Sequence, residues 1–111
     1  MSKMYVPERG DIVWLSFDPQ AGHEHSGHRP ALVLSPSNYN EKTGLMLCCP
    51  LTTQIKGYPF EVVVDGKGKK GAVLADQIKS LDWKVREAEK KGKVSKEILE
   101  EVLEKLKTLI D

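Results

Sequence analysis

Residues 60–75 read FEVVVDGKGKKGAVLA, and this stretch decides the class of fold. Two apolar runs, 60–64 and 72–75, flank the segment Asp-Gly-Lys-Gly at 65–68. β-Branched and aromatic residues favour strands, and a glycine-containing segment between two such runs is typical of a hairpin turn. The stretch therefore predicts two strands joined by a turn.

Three runs upstream have the same character. Residues 12–17 (IVWLSF), 31–35 (ALVLS) and 45–51 (LMLCCPL) are apolar and bounded by turn residues, so each predicts a strand. Pro50 lies inside the third run, which indicates an edge, a bulge or a stop at the end of that strand. Residues 78–86, where apolar and basic side chains mix, allow one more short strand.

The last segment has the periodicity of a helix. Ser95 is a suitable N-cap, and Glu97 follows in the first turn, where an acidic side chain is favoured. Apolar residues then recur every three or four positions, as in one stripe of an amphipathic helix: Leu99, Val102, Leu103, Leu106, Leu109 and Ile110. We therefore predict a mainly β fold with a C-terminal α-helix, whose short strands close into a small barrel or sandwich.

The length of 111 residues fits one domain over 1–111, with the barrel at about 6–93 and the helix at about 95–110. No apolar run reaches the roughly 20 residues of a membrane span, and the first eight residues lack the apolar segment of a signal peptide. Cys48 and Cys49 are neighbours, and neighbours in a strand point to opposite faces, so we expect no disulfide between them. A reducing cytoplasm is the simplest location.

Charge is unevenly distributed, although the formal net charge is only +1. Residues 67–93 hold nine Lys or Arg against four acidic residues, a local net charge of +5, whereas residues 94–111 hold three against five, a net −2. The small net charge argues against non-specific electrostatic binding of a long nucleic acid. The basic segment 67–93 can nevertheless bind a polyanion locally. A solvated surface of mixed charge would give the same counts.

Residues 18–30 (DPQAGHEHSGHRP) form the longest segment without a strand or helix pattern, which is typical of a functional loop. The segment contains His23, His25 and His28, but apart from Glu24 no acid or cysteine completes a familiar ligand pattern, so we expect no metal or cofactor. Nucleotide-binding and hydrolase motifs are missing from the sequence. Three runs place polar groups where strands begin or end, and such ends can converge on one rim: 27–30 (GHRP), 50–54 (PLTTQ) and 56–60 (KGYPF).

Four runs, in order along the chain, resemble the MazF family of toxin endoribonucleases: PxxGDIVWLSFDP, GHRPALVLS, CPLTTQIKGYPFEVV and GAVLADQIKSLDW. The resemblance covers residues 6 to about 83 and continues more weakly through the predicted helix. It implies a small SH3-like β-barrel, shared with the CcdB and Kid toxins. It also implies a homodimer, a MazE-like antitoxin that neutralises it, and metal-independent, sequence-specific cleavage of single-stranded RNA, principally mRNA. We expect no contact with a membrane, and none with DNA except through the antitoxin.

The resemblance also assigns roles to residues. The family's catalytic arginine falls on Arg29 and its catalytic threonine on Thr52, while its RNA-contacting acid and lysine match Glu24 and Lys56. His23 and His25, which flank that acid, depart from the family pattern. Further RNA contacts are expected from neighbouring side chains: Phe17, His28, Tyr39, Thr53, Gln54 and Tyr58, with Lys79, Lys84 and Arg86 on phosphates. Two tryptophans are expected in the core or a dimer interface: Trp14 and Trp83.

Metal-free RNA cleavage uses the substrate's own 2′-hydroxyl as nucleophile and leaves a 2′,3′-cyclic phosphate and a 5′-hydroxyl end. Arg29 suits stabilisation of the phosphorane, because its planar fork donates two hydrogen bonds and keeps its charge. Thr52 can add a hydroxyl donor. An imidazole suits proton transfer near neutral pH, which makes His28 a candidate, but on a strand it would face away from Arg29. The residues alone also allow a surface salt bridge for Arg29 and a strand-end cap for Thr52.

Three other functions remain open from the sequence. A CcdB-like gyrase poison would use the same fold and the terminal helix without chemistry at Arg29. A small RNA-binding module would bind RNA without leaving cyclic phosphate ends. A metal hydrolase would depend on His23 and His25.

Overall fold

The computed structural model describes residues 4–16, 28–66 and 69–111. These residues form mainly β structure followed by a C-terminal helix, as predicted. The strands are β1 (Asp11–Ser16), β2 (His28–Val33), β3 (Leu45–Thr52), β4 (Glu61–Gly66), β5 (Lys69–Leu74), β6 (Lys79–Asp82) and β7 (Glu89–Lys93). The helices are α1 (Ser37–Thr43) and α2 (Lys96–Ile110).

Within the described residues, the strands form one curled antiparallel sheet, a half-barrel, in the order β4-β5-β3-β2-β1-β7, with β6 paired to β3 outside this path. β3 organises the sheet because it changes partner along its length. Its first half, Leu45 to Cys48, pairs with β6, whereas Leu51 and Thr52 pair with β5. Pro50, which has no N–H to donate, lies at this change of partner. The proline predicted to disturb the strand therefore marks where the sheet curls.

The prediction that the second strand starts after Pro30 is wrong. β2 begins at His28, and its first three residues pair with β1, Pro30 lying opposite Trp14. Pairing with β3 starts only at Ala31. A strand tolerates proline where one of its two edges makes no hydrogen bonds to a neighbouring strand. Residues 28–30 pair with β1 but not with β3, so they lie at such a position. The consequence is that Arg29 lies on a strand, which fixes its backbone.

The core lies on both faces of the curled sheet, and the neighbouring cysteines show how. Cys48 packs in a cluster with Val13, Met46 and Trp83, whereas Cys49 packs in a second cluster under α2 with Leu32. Adjacent strand residues thus reach opposite clusters, as the period of two requires. Both thiols are free and buried.

Helix α2 matches its predicted limits and covers one face of the sheet. The Ser95 hydroxyl accepts a hydrogen bond from the Ile98 N–H at 3.2 Å, which caps the first turn. Val102 and Leu106 are buried, but the last members of the predicted stripe, Leu109 and Ile110, are exposed. Neither α1 nor α2 has the length and apolar character needed to cross a bilayer.

Two elements were not predicted because their sequences lack an apolar period. Helix α1 (SNYNEKT) is anchored by a buried polar residue, since the Asn40 amide donates to the Pro7 and Ser35 carbonyls at 2.8 and 3.1 Å. β7 (EKKGK) pairs only with β1, and a short, charged strand at a sheet edge resists pairing with other molecules. Trp83 is buried as predicted and donates its indole N–H to the Asn40 carbonyl at 2.9 Å.

A buried carboxylate, Asp11, joins the N-terminal segment to β1 and β7. It accepts hydrogen bonds from the Tyr5 hydroxyl and the Glu8 N–H, and from the Lys93 ammonium at 3.4 Å. Burial and the hydrogen bond to Asp11 raise the pKa of Tyr5, so its phenol remains a donor. Lys90 lies 3.7 Å from the same carboxylate.

We expect Asp11→Ala to lower the free energy of unfolding by about 2–4 kcal/mol, because it removes a buried carboxylate and leaves its three partly buried donors without that acceptor. Glu8→Ala is the matched control: this exposed carboxylate also contacts Lys93 at 3.4 Å, but its removal should change stability by less than about 0.5 kcal/mol. Urea unfolding of both variants measures the difference. Equal losses in the two variants would contradict the role assigned to Asp11.

Candidate active site

Arg29 and Thr52 lie on the same side of the molecule, in one groove. The register of β2 and β3 pairs Ala31 with Pro50 and Leu32 with Cys49, so Arg29, two residues before Ala31, and Thr52, two residues after Pro50, both lie just beyond the same end of this ladder. Both side chains line a groove with a cavity volume of about 530 Å³, which we call the arginine groove. Its walls are Ile12, Arg29, Pro30, Leu51, Thr52, Thr53, Val64, Gly66, Lys70, Gly71 and Lys91. Two positions 23 residues apart in sequence are therefore brought together by strand pairing.

The Thr52 side chain is oriented by its own backbone. Its hydroxyl oxygen accepts a hydrogen bond from the Gln54 N–H at 3.1 Å. An oxygen that accepts from an N–H still has its own proton to donate, so the cap leaves a donor for a ligand. Behind Thr52, a Cβ added to Gly71 would lie 3.2 Å from the Thr52 carbonyl oxygen, tighter than most such contacts. The glycine allows β5 to approach β3 closely at this point.

The cations of the arginine groove differ from those predicted. Lys70 from β5 and Lys91 from β7 line the groove beside Arg29. Of the three cations expected on phosphates, Lys84 lies over the Trp83 ring at 5.6 Å, and Arg86 donates to the Ser16 carbonyl at 3.5 Å. Lys79 lines a separate small cleft with Arg29. None of these three lines the arginine groove.

His28 lies outside the lining of the arginine groove, in keeping with the alternation of side chains along β2. Its ring is stacked on the half-buried Trp14, with centroids 5.9 Å apart and planes 7° from parallel. Lys91 lies over the other ring of this pair, 5.9 Å from the Trp14 centroid. Trp14 is thus not a core residue, and it forms an aromatic surface next to the groove.

A tight loop presents Lys56 and Tyr58. The backbone N–H groups of Lys56, Gly57 and Tyr58 all donate to the Glu61 carboxylate, at 2.9 to 3.2 Å. Gly57 has a φ of +78°, which favours glycine over residues with a side chain. The Glu61 carboxylate therefore holds the loop in one shape, and the run KGYPFE encodes that shape.

The loop forms one wall of a second cavity, of about 410 Å³, which we call the tyrosine pocket. It is lined by Thr52, Gln54, Lys56, Tyr58, Glu61, Leu74, Asp76 and Gln77. The Tyr58 hydroxyl donates to Asp76 Oδ2 at 2.6 Å, and this hydrogen bond raises the pKa of Tyr58. Thr52 lines both cavities, so the pocket and the groove are adjacent.

The predicted contact residues divide into four groups. Thr53 lines the arginine groove, whereas Gln54, Lys56 and Tyr58 line the tyrosine pocket. Tyr39 lies on α1 and lines neither cavity. Four residues lie outside the described part of the chain, and nothing tests their roles: Phe17, His23, Glu24 and His25.

Five polar lining residues were not predicted: Glu61, Lys70, Asp76, Gln77 and Lys91. Asp76 and Gln77 directly follow the apolar run 72–75, and a polar pair at the end of a buried strand is a signal that could have found them.

Neither cysteine can supply a nucleophile for chemistry in the groove. Burial raises the pKa of Cys48 to about 11 and that of Cys49 to about 12. A thiol that stays protonated at neutral pH is a poor nucleophile. The polar groups that face the groove are cations and hydroxyls, which suit an anionic ligand.

Comparison with known proteins gives one consistent match. Residues 8–110 match the model of the PemK-like, MazF-like toxins of type II toxin–antitoxin systems. Over 110 residues, 99% of each chain, the sequence is 54% identical to the endoribonuclease toxin MazF of Escherichia coli strain K12. It is 36% identical to the endoribonuclease toxin ChpB of the same strain over 94% of each chain.

Solved structures agree with the sequence comparison. The fold is similar to a crystal structure of MazF from Deinococcus radiodurans, with a TM-score of 0.84 and 54% identity over 96% of this chain and 98% of that one. A MazE–MazF crystal structure from the same organism gives a TM-score of 0.88 and 52% identity over 96% and 97%.

Proposed function

Because the chain belongs to the PemK/MazF-like toxin family of type II toxin–antitoxin systems, we propose that it is a sequence-specific endoribonuclease that cleaves single-stranded RNA. The observation that carries the proposal is the position of Arg29 and Thr52 in one groove together with Lys70 and Lys91. Three cations and a hydroxyl donor along a groove match the needs of a phosphodiester backbone.

In the proposed mechanism the 2′-hydroxyl gives up its proton to water and attacks the adjacent phosphorus. The bond from phosphorus to the 5′-oxygen breaks, and the leaving 5′-oxygen takes up a proton from water. A phosphorane forms, with more negative charge on its oxygens than the diester carries. The Arg29 guanidinium stabilises that charge through a two-pronged hydrogen bond, and the Thr52 hydroxyl donates to the same oxygens. Lys70 and Lys91 hold the flanking phosphates, and unstacked bases lie against exposed rings such as that of Tyr58. The products are a 2′,3′-cyclic phosphate and a 5′-hydroxyl.

The same proposal includes partners. The relatives with solved structures include MazE–MazF complexes, so we infer that a MazE-like antitoxin neutralises this chain. We infer a homodimer as well, since exposed apolar side chains remain on β3 and at the end of α2, among them Leu47 and Ile110. Unpaired, buried cysteines suit a reducing cytoplasm as the location.

The other functions lose support. A gyrase poison would not need an arginine, a threonine and two lysines around one groove. A passive RNA-binding module could use the same cations, so the names of the relatives argue against it. The relatives over the full chain are endoribonucleases. The metal-hydrolase alternative depends on His23 and His25, which lie outside the described residues. The experiment below distinguishes it from the proposed function.

The test is incubation of the purified protein with a long single-stranded RNA in excess EDTA, followed by mapping of the new ends. We expect cleavage at a limited set of sites, and the same cleavage by the double variant His23→Ala/His25→Ala. Intact RNA at high protein concentration would overturn the proposal. Cleavage that requires an added metal and either histidine would support the hydrolase instead.

A further inference from the structure

The tyrosine pocket contains a buried acceptor that the described residues leave unused. Asp76 Oδ2 accepts the Tyr58 hydroxyl, but Asp76 Oδ1 is buried without a hydrogen-bond partner among the described residues. An unsatisfied polar atom of this kind destabilises a fold unless something else pairs with it. Because Asp76 lines an open cavity, the missing partner can come from a ligand.

The chemistry of the acceptor selects the ligand. A carboxylate only accepts hydrogen bonds, so the ligand must present N–H or O–H groups. The terminal torsion of an aspartate is broad, and a small rotation turns Oδ1 toward the cavity. Beside it the Gln77 and Gln54 side chains can donate and accept, and Tyr58, which is 46% exposed, offers a ring face. A hydrogen-bond acceptor, amide groups and an aromatic face are the groups that recognise a nucleobase, by hydrogen bonds to its edge and by stacking.

The position of the pocket favours a base of the substrate over a separate ligand. Thr52 lines both cavities, so a strand whose phosphate lies at Arg29 can place a neighbouring base in the pocket. The volume of about 410 Å³ falls within the ~300–1,000 Å³ of small-molecule sites.

We propose that the tyrosine pocket is a base-specificity subsite in which Asp76 selects a nucleobase with an exocyclic amino group and rejects uracil. Adenine, cytosine and guanine each offer an amino donor on the edge that faces outward in single-stranded RNA. Uracil offers a single imino proton between two carbonyl oxygens, which repel a carboxylate. The inference rests on the proposed function and names the residue that sets part of its sequence preference.

The test maps cleavage ends of the unaltered protein and of Asp76→Asn across a pool of random RNA. We expect one position of the recognition sequence to exclude uracil in the unaltered protein. In Asp76→Asn, the preference at that position for amino-bearing bases over uracil should fall about 10- to 100-fold, because an amide adds a donor where an acceptor stood. Glu41→Gln, an equal loss of charge on α1, should leave the preference unchanged.

A second measurement does not depend on the folding of the variant. At the mapped position, an oligonucleotide carries a base without its amino group: purine for adenine, pyrimidin-2-one for cytosine or hypoxanthine for guanine. The unaltered protein should cleave it about 10- to 100-fold more slowly than the parent. Equal cleavage would overturn the proposal, as would a folded Asp76→Asn with an unchanged or uniformly weakened profile.

Two further outcomes separate the possible failures. If Asp76→Asn changes only inhibition by an antitoxin and not base preference, the pocket binds protein and the proposal is wrong. If the unaltered protein cleaves no RNA at all, the proposed function fails, and this inference fails with it.

Discussion

Arg29→Ala is expected to lower kcat/KM for RNA cleavage by at least ~10²–10³ without changing the fold. Arg29 lines the arginine groove with Thr52, and it lies on β2, whose backbone is held there by β1. Its side chain is exposed, so truncation leaves no hole in the core. The loss should therefore appear in the rate of the chemical step and not in stability.

Two control variants separate the causes. Arg29→Lys keeps the charge but loses the planar fork, so it should recover only part of the activity if two hydrogen bonds to the phosphate matter. Lys42→Ala removes an exposed cation from α1 and should have no effect on cleavage. Single-turnover rates and thermal unfolding of all three variants give the comparison. A folded Arg29→Ala protein that cleaves within tenfold of the unaltered rate would contradict the assignment.

A 2′-methoxy group on the nucleotide before the scissile phosphate is expected to abolish cleavage. Internal attack needs a free 2′-hydroxyl, and neither thiol near the groove is ionised at neutral pH, because burial raises the pKa of both cysteines. The modified strand should still bind, since the proposed contacts of Arg29, Lys70 and Lys91 are to phosphates and not to the ribose hydroxyl. A protected strand that competes with unmodified RNA would show that the chemistry, not binding, is lost.

The chemistry of the ends gives the matching control. Unmodified RNA should yield 2′,3′-cyclic phosphate and 5′-hydroxyl ends, and a 2′-methoxy group placed two nucleotides away should not stop the reaction. Continued cutting at the modified nucleotide would mean that water or a protein group is the nucleophile, and it would overturn internal attack.

The fold could be predicted where apolar residues form a continuous run or recur at a regular spacing along the sequence. The apolar runs identified five strands, residues 78–86 allowed the sixth, and the 3.6-residue stripe identified α2. α1 and β7 could not be found in this way, because their stability comes from elsewhere: Asn40 anchors the helix through buried hydrogen bonds, and β7 is held by its ladder to β1. The start of β2 was missed because proline was taken as a boundary, whereas one-sided pairing tolerates it.

The site could be predicted only where a motif carries it. Arg29 and Thr52 followed from the family resemblance, and the pairing of the neighbouring residues of β2 and β3 supplies a physical reason that both line one groove. Asp76 follows a buried strand, a local signal that could have found it, but Lys70 and Lys91 could not be predicted from local sequence. These two lysines reach the arginine groove because β5 and β7 pair with β3 and β1, and such pairing between distant segments leaves no local pattern.

A double-mutant cycle of Arg29→Ala and Thr52→Val tests most directly whether these two groups act on one phosphodiester. Single-turnover cleavage of one RNA in EDTA is measured for the unaltered protein, both single variants and the double variant, with Thr52→Ser as the hydroxyl-retaining control. If both side chains stabilise the same phosphorane, the double variant should be little slower than Arg29→Ala alone. Losses that simply multiply, or a Thr52→Val protein as active as the unaltered one, would contradict the shared site.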